Sequence, residues 1–182
     1  MTTVQADTAI PTGIWKSDPV HSQAGFAVKH MVVATFRGTF TDFAVTLANE
    51  DGDLRIYGAV RADSVQVRDP NLNGHLLSPE FFDADRYPEI TFTSTGIRAE
   101  GDDLVVDGDL TIKDTTKRVE ARGRISGPVA HPAGGERIGI ELETQVDRTE
   151  FGLRWNAPMP SGGVAVENEV TLTVHLELAR EE

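Results

Sequence analysis

The sequence predicts an all-β protein whose strands run antiparallel. Apolar and polar residues alternate with a period of two through most of the chain, the pattern of strands with one buried face. Turn signals such as Asn49-Glu50-Asp51-Gly52-Asp53 and Glu100-Gly101-Asp102-Asp103 join successive segments. No helical crossover of a dozen or so residues separates the strands, so neighbours in sequence should pair antiparallel. A sheet of about eight such strands closes into a barrel or packs against a second sheet.

The first half of the chain contains four predicted strands. The segment 13–22 is a short strand that runs into a turn, and Phe26, Val28 and His30 share one face of the second strand. The segment 31–36 has mixed periodicity and fits either a strand end or one helical turn. Alternation resumes over 39–48 and again over 54–67.

The central stretch, residues 69–95, differs from the rest. It opens with turn signals at Asp69-Pro70-Asn71 and Asn73-Gly74. The apolar-dense segment 75–82 is too short for a free-standing helix and has to be held by packing. A strand with Ile90, Phe92 and Ser94 on one face follows directly, so a plug-like segment leads into the sheet.

Four further strands are predicted in the second half, at 104–112, 119–125, 138–146 and 170–178. A longer loop, rich in Gly and Pro, occupies 156–166.

Size and charge restrict the classes of function. A chain of 182 residues fits one domain, and its net charge of −12 disfavours nucleic acid and anionic lipid surfaces as partners. The absence of cysteine excludes thiolate chemistry and suits a reducing compartment. Residues 1–12 lack the features of a secretory signal, and no apolar run approaches the roughly 20 residues that span a bilayer. We therefore expect a flexible leader at 1–12 on a cytoplasmic protein that is not integral to a membrane.

Small residues lie among the Ile, Val, Leu and Phe of the inward faces: Gly58, Ser94, Gly108, Ala121 and Gly123. In one interpretation they leave room inside an eight-stranded barrel for a slender ligand. In the other, the glycines mark bends or close approach of another backbone.

Several motifs stand in order along the chain: Asp18-Pro19-Val20-His21-Ser22, Val28-Lys29-His30-Met31, Gly38-Thr39-Phe40, His75-Leu76-x-Ser78-Pro79-x-Phe81-Phe82-Asp83, Tyr87-Pro88-Glu89-Ile90-x-Phe92-x-Ser94-Thr95, Gly108-Asp109-Leu110-Thr111-Ile112 and Arg148-x-x-Phe151-Gly152. This set resembles the YceI-like family, lipid-binding proteins with a lipocalin-like barrel. The resemblance covers about residues 13–179.

The resemblance implies an eight-stranded antiparallel lipocalin-like barrel over residues 13–179, with one or two short helical segments. Family members hold a polyisoprenoid or a similar long amphiphile in an elongated apolar cavity. We therefore expect a non-catalytic carrier whose only bound group is its cargo, such as an isoprenoid quinone or a polyprenyl lipid. The resemblance leaves a homodimer open. Many members are exported, whereas residues 1–12 do not resemble a signal.

Side chains on the inward faces and in the plug are the predicted lining of the cavity: Phe26, Val28, His30, Phe43, Ile56, Gly58, Val60, Leu76, Phe81, Phe82, Phe92, Ser94, Val106, Gly108, Leu110, Ala121, Leu142, Phe151, Trp155 and Leu172. Four polar residues are predicted to orient a head group at the rim: Arg37, Asp69, His75 and Arg148. His30 is interpreted either as a hydrogen-bonded interior histidine or as a contact to the head group.

Catalytic and metal-binding constellations are weak. Asp18, His21 and Ser22 lie too close in sequence for a triad, so we expect a turn held by side-chain hydrogen bonds to the backbone. The histidines show no i,i+2 or i,i+4 pairing, and the carboxylates at 83–89 do not form a calcium loop, so no metal site is expected. The alternatives are an enzyme acting on a lipid or small hydrophobic substrate, and a structural or stress-related barrel with a filled core.

Overall fold

In the computed structural model, which describes residues 10–182, eleven strands form one antiparallel sheet. The strands are β1 Gly13–Ser17, β2 Gln23–His30, β3 Ala34–Phe40, β4 Phe43–Glu50, β5 Asp53–Arg61, β6 Val65–Gln66, β7 Glu89–Glu100, β8 Asp103–Ile112, β9 Thr115–Ala130, β10 Glu136–Asp147 and β11 Val166–Arg180. One α-helix, α1, spans Pro70–Leu77, and short 3-10 helices span Ala62–Ser64 and Arg148–Phe151.

Eight of these strands close a ring in the order β1, β4, β5, β7, β8, β9, β10 and β11, after which β11 pairs with β1. The predicted eight-stranded antiparallel lipocalin-like barrel is thus confirmed. The closing contact is short, with Trp15 opposite Arg180, Lys16 opposite Ala179 and Ser17 opposite Leu178. The remaining strands β2, β3 and β6 extend the sheet from the other half of β11.

Helix α1 begins where the sequence predicts only a turn. The Asp69 carboxylate accepts hydrogen bonds from the backbone N–H groups of Asn71 and Leu72, which caps the helix. Pro70 occupies the first turn, where its fixed φ suits a helix and its missing N–H costs nothing. A turn signal of this composition is therefore also a helix start.

Two other local predictions are refined. The predicted strand 54–67 is interrupted by the 3-10 helix Ala62–Ser64, where the Ser64 hydroxyl donates to the Arg61 carbonyl at 2.7 Å. The undecided segment 31–36 is a turn at 31–33 followed by β3. In that turn Met31 and Val32 have positive φ angles of 53° and 65°.

Two hydrophobic clusters fill the ends of the barrel. The helix-end cluster contains the buried side chains Phe40, Ala62, Val65, Leu76, Phe81, Phe82, Ala84, Leu110, Ile112, Val146, Phe151 and Leu153. The closure-end cluster contains Trp15, Leu47, Ile56, Leu104, Val106, Ala121, Ile138, Ile140, Leu142, Leu176 and Leu178. The plug predicted at 75–82 is confirmed as part of the first cluster, since packing holds it across the barrel end.

Part of the predicted leader, residues 1–9, lies outside the described residues. Residues 10–12 are described, and each carbonyl accepts a hydrogen bond from a barrel side chain: Ile10 from Asn49, Pro11 from Trp15 and Thr12 from Arg180. The leader at 1–9 and the domain boundary at 13–179 stay predictions.

Trp15→Ala should destabilise the barrel by about 4 kcal/mol, because the fully buried Trp15 side chain (0% exposed) fills the space between β4 and β11. Lys16→Ala, a change at the exposed neighbouring residue, should alter the free energy of unfolding by less than about 0.5 kcal/mol. Urea unfolding of both variants checks this. Equal destabilisation would mean that the closing strand contributes through its backbone alone.

Candidate functional site

Partly buried apolar side chains that face the barrel interior and pack against the two clusters define the candidate site. The strand register places these side chains on one continuous inner face, yet each keeps part of its surface accessible: Phe26, Phe43, Val45, Val60, Ile90, Phe92, Val119, Val170, Leu172 and Val174. Phe92 contacts both clusters. Partial exposure sets these side chains apart from the fully buried members of the two clusters.

Aromatic rings occupy the space beside two inner glycines. A Cβ added at Gly108 would lie 2.3 Å from Phe92 Cζ, and one added at Gly38 would lie 2.4 Å from Phe26 Cζ. Each ring therefore lies flush against a bare stretch of backbone, and any side chain there would displace it. These glycines accommodate Phe92 and Phe26 and do not leave empty space.

The other small inward residues have structural causes. A Cβ at Gly123 would lie 1.7 Å from the Glu141 carbonyl oxygen, so the residue is small because β10 passes close to it. Ser94 Oγ accepts a hydrogen bond from the backbone N–H of Ile56 at 2.9 Å and replaces a pairing that β5 and β7 do not make there. Close approach of another backbone therefore explains Gly123, while at Gly108 the Phe92 ring and the Thr93 carbonyl oxygen occupy the space of a side chain.

The structure places the predicted lining residues at three levels of burial. Eleven are buried: Val28, Ile56, Leu76, Phe81, Phe82, Val106, Gly108, Leu110, Ala121, Leu142 and Phe151. Eight are partly buried: Phe26, Phe43, Gly58, Val60, Phe92, Ser94, Trp155 and Leu172. His30 is exposed.

The positions of His30 and Arg37 differ from the predicted ones. His30 follows the inward parity of Phe26 and Val28, but β2 runs past the barrel wall there, so the side chain is in solvent and is not an interior histidine. Arg37 is paired with Ala27 and is exposed on the outer face of β3. Neither points into the barrel.

His75 does lie in an aromatic setting at the helix end. Its ring makes edge contacts with Phe81 and Trp155, at centroid distances of 4.9 and 4.8 Å. His75 Nε2 also hydrogen bonds to the Glu80 carboxylate. The structure thus brings together one predicted rim residue and two predicted lining residues, while Asp69 caps the same helix.

Arg148 is not a free rim residue. Its guanidinium is buried, with 6% of the residue exposed, and donates to the backbone carbonyls of Glu167, Leu153, Trp155 and Val166. Burial lowers the pKa of the guanidinium from its ordinary value, with Asp147 opposing the effect. The predicted contact to a head group is wrong in its geometry, because the side chain ties the loop 152–165 to the start of β11.

The Asp18-to-Ser22 motif forms the predicted turn. Asp18 accepts a hydrogen bond from Val20 N at 2.8 Å and contacts His21 Nδ1 at 3.0 Å. Ser22 Oγ accepts from the backbone N–H of Glu177 at 3.1 Å. The hydroxyl therefore provides a hydrogen-bond acceptor for the β11 backbone at the point where β1 ends and β2 begins. It is not aligned with His21 as a nucleophile would be.

The outer wall beside this turn carries a shallow groove of about 430 Å³, lined by residues including His21, Gly139, His175 and Glu177. Asp18, His21 and Glu177 each offer a ligand atom within 4.8 Å of the others. Arg137 Nε lies 3.6 Å from Glu177 Oε1 and supplies positive charge to this carboxylate. The absence of a metal site stays a prediction.

Several residues of the inner face were not among the predicted lining residues: Gly38, Val45, Ile90, Val119, Thr144, Val170 and Val174. The period of two already places most of them on the inward side of their strands. Which of them remain accessible depends on where neighbouring strands separate, and no local pattern records that.

The closed antiparallel ring and its apolar inner face form a lipocalin-like barrel. The family model for the YceI-like domain matches residues 15–178. The chain belongs to the YceI-like family.

Relatives and solved structures agree with this assignment. The chain is 31% identical to Protein YceI of Escherichia coli O17:K52:H18 over 137 residues, covering 74% of this chain and 72% of that protein. It is 30% identical to Protein YceI of Shigella flexneri with the same coverage. The fold is similar to Burkholderia cenocepacia BcnA, with a TM-score of 0.74, 22% identity, and coverage of 88% of this chain and 98% of that chain.

The fold is also similar to a polyisoprenoid binding domain from Saccharophagus degradans that is implicated in plant cell wall breakdown. The TM-score is 0.67 at 13% identity, and the match covers 94% of this chain and 100% of that chain. Within residues 10–182, no helix has the length and apolar character needed to cross a bilayer.

The contact between Asp18 and His21 should make stability depend on pH. The hydrogen bond that the His21 imidazole donates to the Asp18 carboxylate raises the pKa of His21 above its ordinary 6.5 and lowers the pKa of Asp18 from its ordinary 3.8. The pair therefore stabilises the fold above the Asp18 pKa and below pH 6.5, and this contribution is lost as pH rises through the raised His21 pKa.

Asp18→Asn should lower the titration midpoint of His21, followed by NMR of the imidazole protons. The stability difference between the natural protein and Asp18→Asn should shrink as pH rises above 6.5. A midpoint that does not move in the variant would contradict the contact.

Arg148→Lys should lower the free energy of unfolding by about 3 kcal/mol, because a lysine cannot reach four carbonyls with a planar fork and leaves buried acceptors unpaired. The matched control is Arg154→Lys in the same loop, where an exposed guanidinium makes one 3.4 Å hydrogen bond and a change below about 0.5 kcal/mol is expected. Urea denaturation measures both. Equal effects would mean that Arg148 does not hold the loop.

Proposed function

We propose that this protein is a non-catalytic binding protein that carries a polyisoprenoid or a similar long-chain amphiphile, in the cytoplasm, with the chain of the ligand inside the barrel. The observation that carries the proposal is the set of partly buried apolar side chains on the inner face of a closed barrel, packed against two buried clusters. The polyisoprenoid binding domain with a similar fold supports the choice of ligand class.

Phe26 and Phe92 are the side chains that determine how much space the interior offers. Each covers a glycine, so rotation of either ring uncovers backbone that carries no Cβ. Side-chain rotation of this kind needs no break in the strand pairing, which keeps the cost of accommodating a chain low. The ligand then replaces the rings against Gly38 and Gly108.

The energetics allow such binding. Burial of about twenty methylene groups at ~0.8 kcal/mol each contributes roughly 16 kcal/mol gross. Association and ordering cost about 4–15 kcal/mol. The net affinity is therefore highest when the protein rearranges little on binding, as a preformed barrel does.

Extraction of the purified protein with organic solvent, followed by mass spectrometry, tests the proposal directly. We expect a long-chain isoprenoid or related amphiphile, and we expect the emptied protein to take up all-trans-retinol, an isoprenoid alcohol that fluoresces in apolar surroundings. A clean extract together with no retinol uptake would exclude the carrier function and favour a filled structural barrel.

Leu172→Trp should weaken retinol binding at least tenfold, because Leu172 lies on the inner face opposite Phe26 and an indole would fill the space for the ligand. Thr173→Trp places the same side chain one residue further on β11, on the opposite face, and should bind retinol as the natural protein does. Fluorescence titration measures both dissociation constants, with circular dichroism to confirm folding. Unchanged binding in Leu172→Trp would place the ligand outside the barrel.

A further inference from the structure

Both ends of the barrel are closed by buried side chains. At the helix end, Phe81, Phe82 and Phe151 are no more than 9% exposed. At the closure end, Trp15 and Leu178 are 0% exposed. A ligand that occupies the middle therefore needs a route through the wall or a large movement of one end.

The wall has a break between β9 and β10. Pairing of these strands runs from Ala130 opposite Glu136 to Arg122 opposite Glu143 and stops there. Beyond that point β9 continues to pair with β8 alone, and β10 with β11 alone. The β9–β10 gap, bounded by residues 117–120 and 144–147, holds a depression of about 320 Å³ that Glu150 and Phe151 also line.

The bottom of the β9–β10 gap is apolar and continuous with the core. Val146 and Phe151 belong to the helix-end cluster, and Val119 packs against it. Among residues 10–182, one side-chain hydrogen bond crosses the gap, from Thr144 Oγ1 to the Glu120 carbonyl oxygen at 2.8 Å. Breaking this one hydrogen bond would separate the two strand edges here and leave the other strand pairings of the ring in place.

Lys117 has an unusual position in the gap. It pairs with the buried Leu110 and shares the inward parity of Val119, yet it is exposed because β10 does not cover it. Among residues 10–182, no carboxylate lies within 4.0 Å of its Nζ atom. A lysine on the inner side of the wall, without an acidic partner, is a donor available to a ligand.

We propose that the β9–β10 gap is the portal through which the amphiphile enters, and that the polar head of the ligand stays there. An oxygen of the head group accepts a hydrogen bond from Lys117 Nζ, while the chain passes Val119 and Phe151 into the barrel. The lining of the gap carries three carboxylates, those of Glu120, Asp147 and Glu150, against the two cations Lys117 and Arg118. This excess of negative charge disfavours a multiply charged head such as a diphosphate. The ligand class is therefore a long-chain alcohol or carbonyl compound. The inference rests on the proposed function.

The portal is tested by blocking it. Because the chain contains no cysteine, Gln145→Cys at the rim can be labelled selectively with a bulky maleimide. Labelled Gln145→Cys should take up and release retinol at least tenfold more slowly in stopped-flow fluorescence, with the dissociation constant nearly unchanged. The control is labelled Glu143→Cys, on the same strand and face but in the paired part, which should exchange retinol at the natural rate.

Thr144→Val should act in the opposite direction, because it removes the tie across the gap. Both rates should rise severalfold at constant affinity. Normal rates in labelled Gln145→Cys and in Thr144→Val would overturn the portal while leaving the carrier function intact. Failure of the natural protein to bind retinol at all would instead count against the carrier function.

The position of the head group has its own test. Lys117→Met keeps the aliphatic stem and removes the donor, so the dissociation constant for retinol should rise about fivefold. Lys113→Met, in the turn that precedes β9, should leave the constant unchanged. An unchanged constant in Lys117→Met would exclude the head group from the gap.

Discussion

Backbone pairing along β11 is the interaction on which the barrel depends. One edge of this 15-residue strand pairs with β10, and the other edge pairs with β1 and β2 placed end to end. Between the end of β1 and the start of β2, the backbone of Glu177 has no strand partner. Its N–H donates to the Ser22 hydroxyl, and its carbonyl oxygen accepts a hydrogen bond from the Asp18 N–H. Since an unpaired buried backbone group costs about 1–3 kcal/mol, the short turn at 18–22 is what lets one strand serve two partners and closes the sheet.

Closure determines where the molecule is rigid and where it can yield. The two ends are filled by aromatic and aliphatic side chains, and at the helix end Arg148 ties four backbone carbonyls together. The buried Arg148 guanidinium therefore holds the loop 152–165 in place. At the β9–β10 gap of the side wall, the part of the chain that the structure describes provides one side-chain hydrogen bond between the strands, from Thr144 to the Glu120 carbonyl oxygen. Entry of a bulky ligand would therefore disrupt fewer contacts at this part of the wall than at either end of the barrel.

Much of the fold was predictable because strand geometry is local. Alternation identified the faces of β4, β7, β8, β10 and β11, and turn residues identified the hairpins at 49–53 and 100–103. Prediction failed where the same residues are compatible with two different local structures. Asp69-Pro70 marks a turn and a helix start equally well, and an inward glycine such as Gly108 fits empty space and a covering ring equally well. His30 and Arg148 were misplaced because burial at the end of a strand depends on how far its neighbours extend.

The sequence by itself determined the fold class, the family and the inner face of each strand, since a period of two and the order of motifs are properties of the chain. Only the tertiary structure decided that Phe26 and Phe92 cover the inner glycines and that the Arg148 guanidinium donates its hydrogen bonds to backbone carbonyls. It alone showed that pairing of β9 with β10 ends at Arg122 and Glu143. These features depend on contacts between residues far apart in sequence, and such contacts have no local signature.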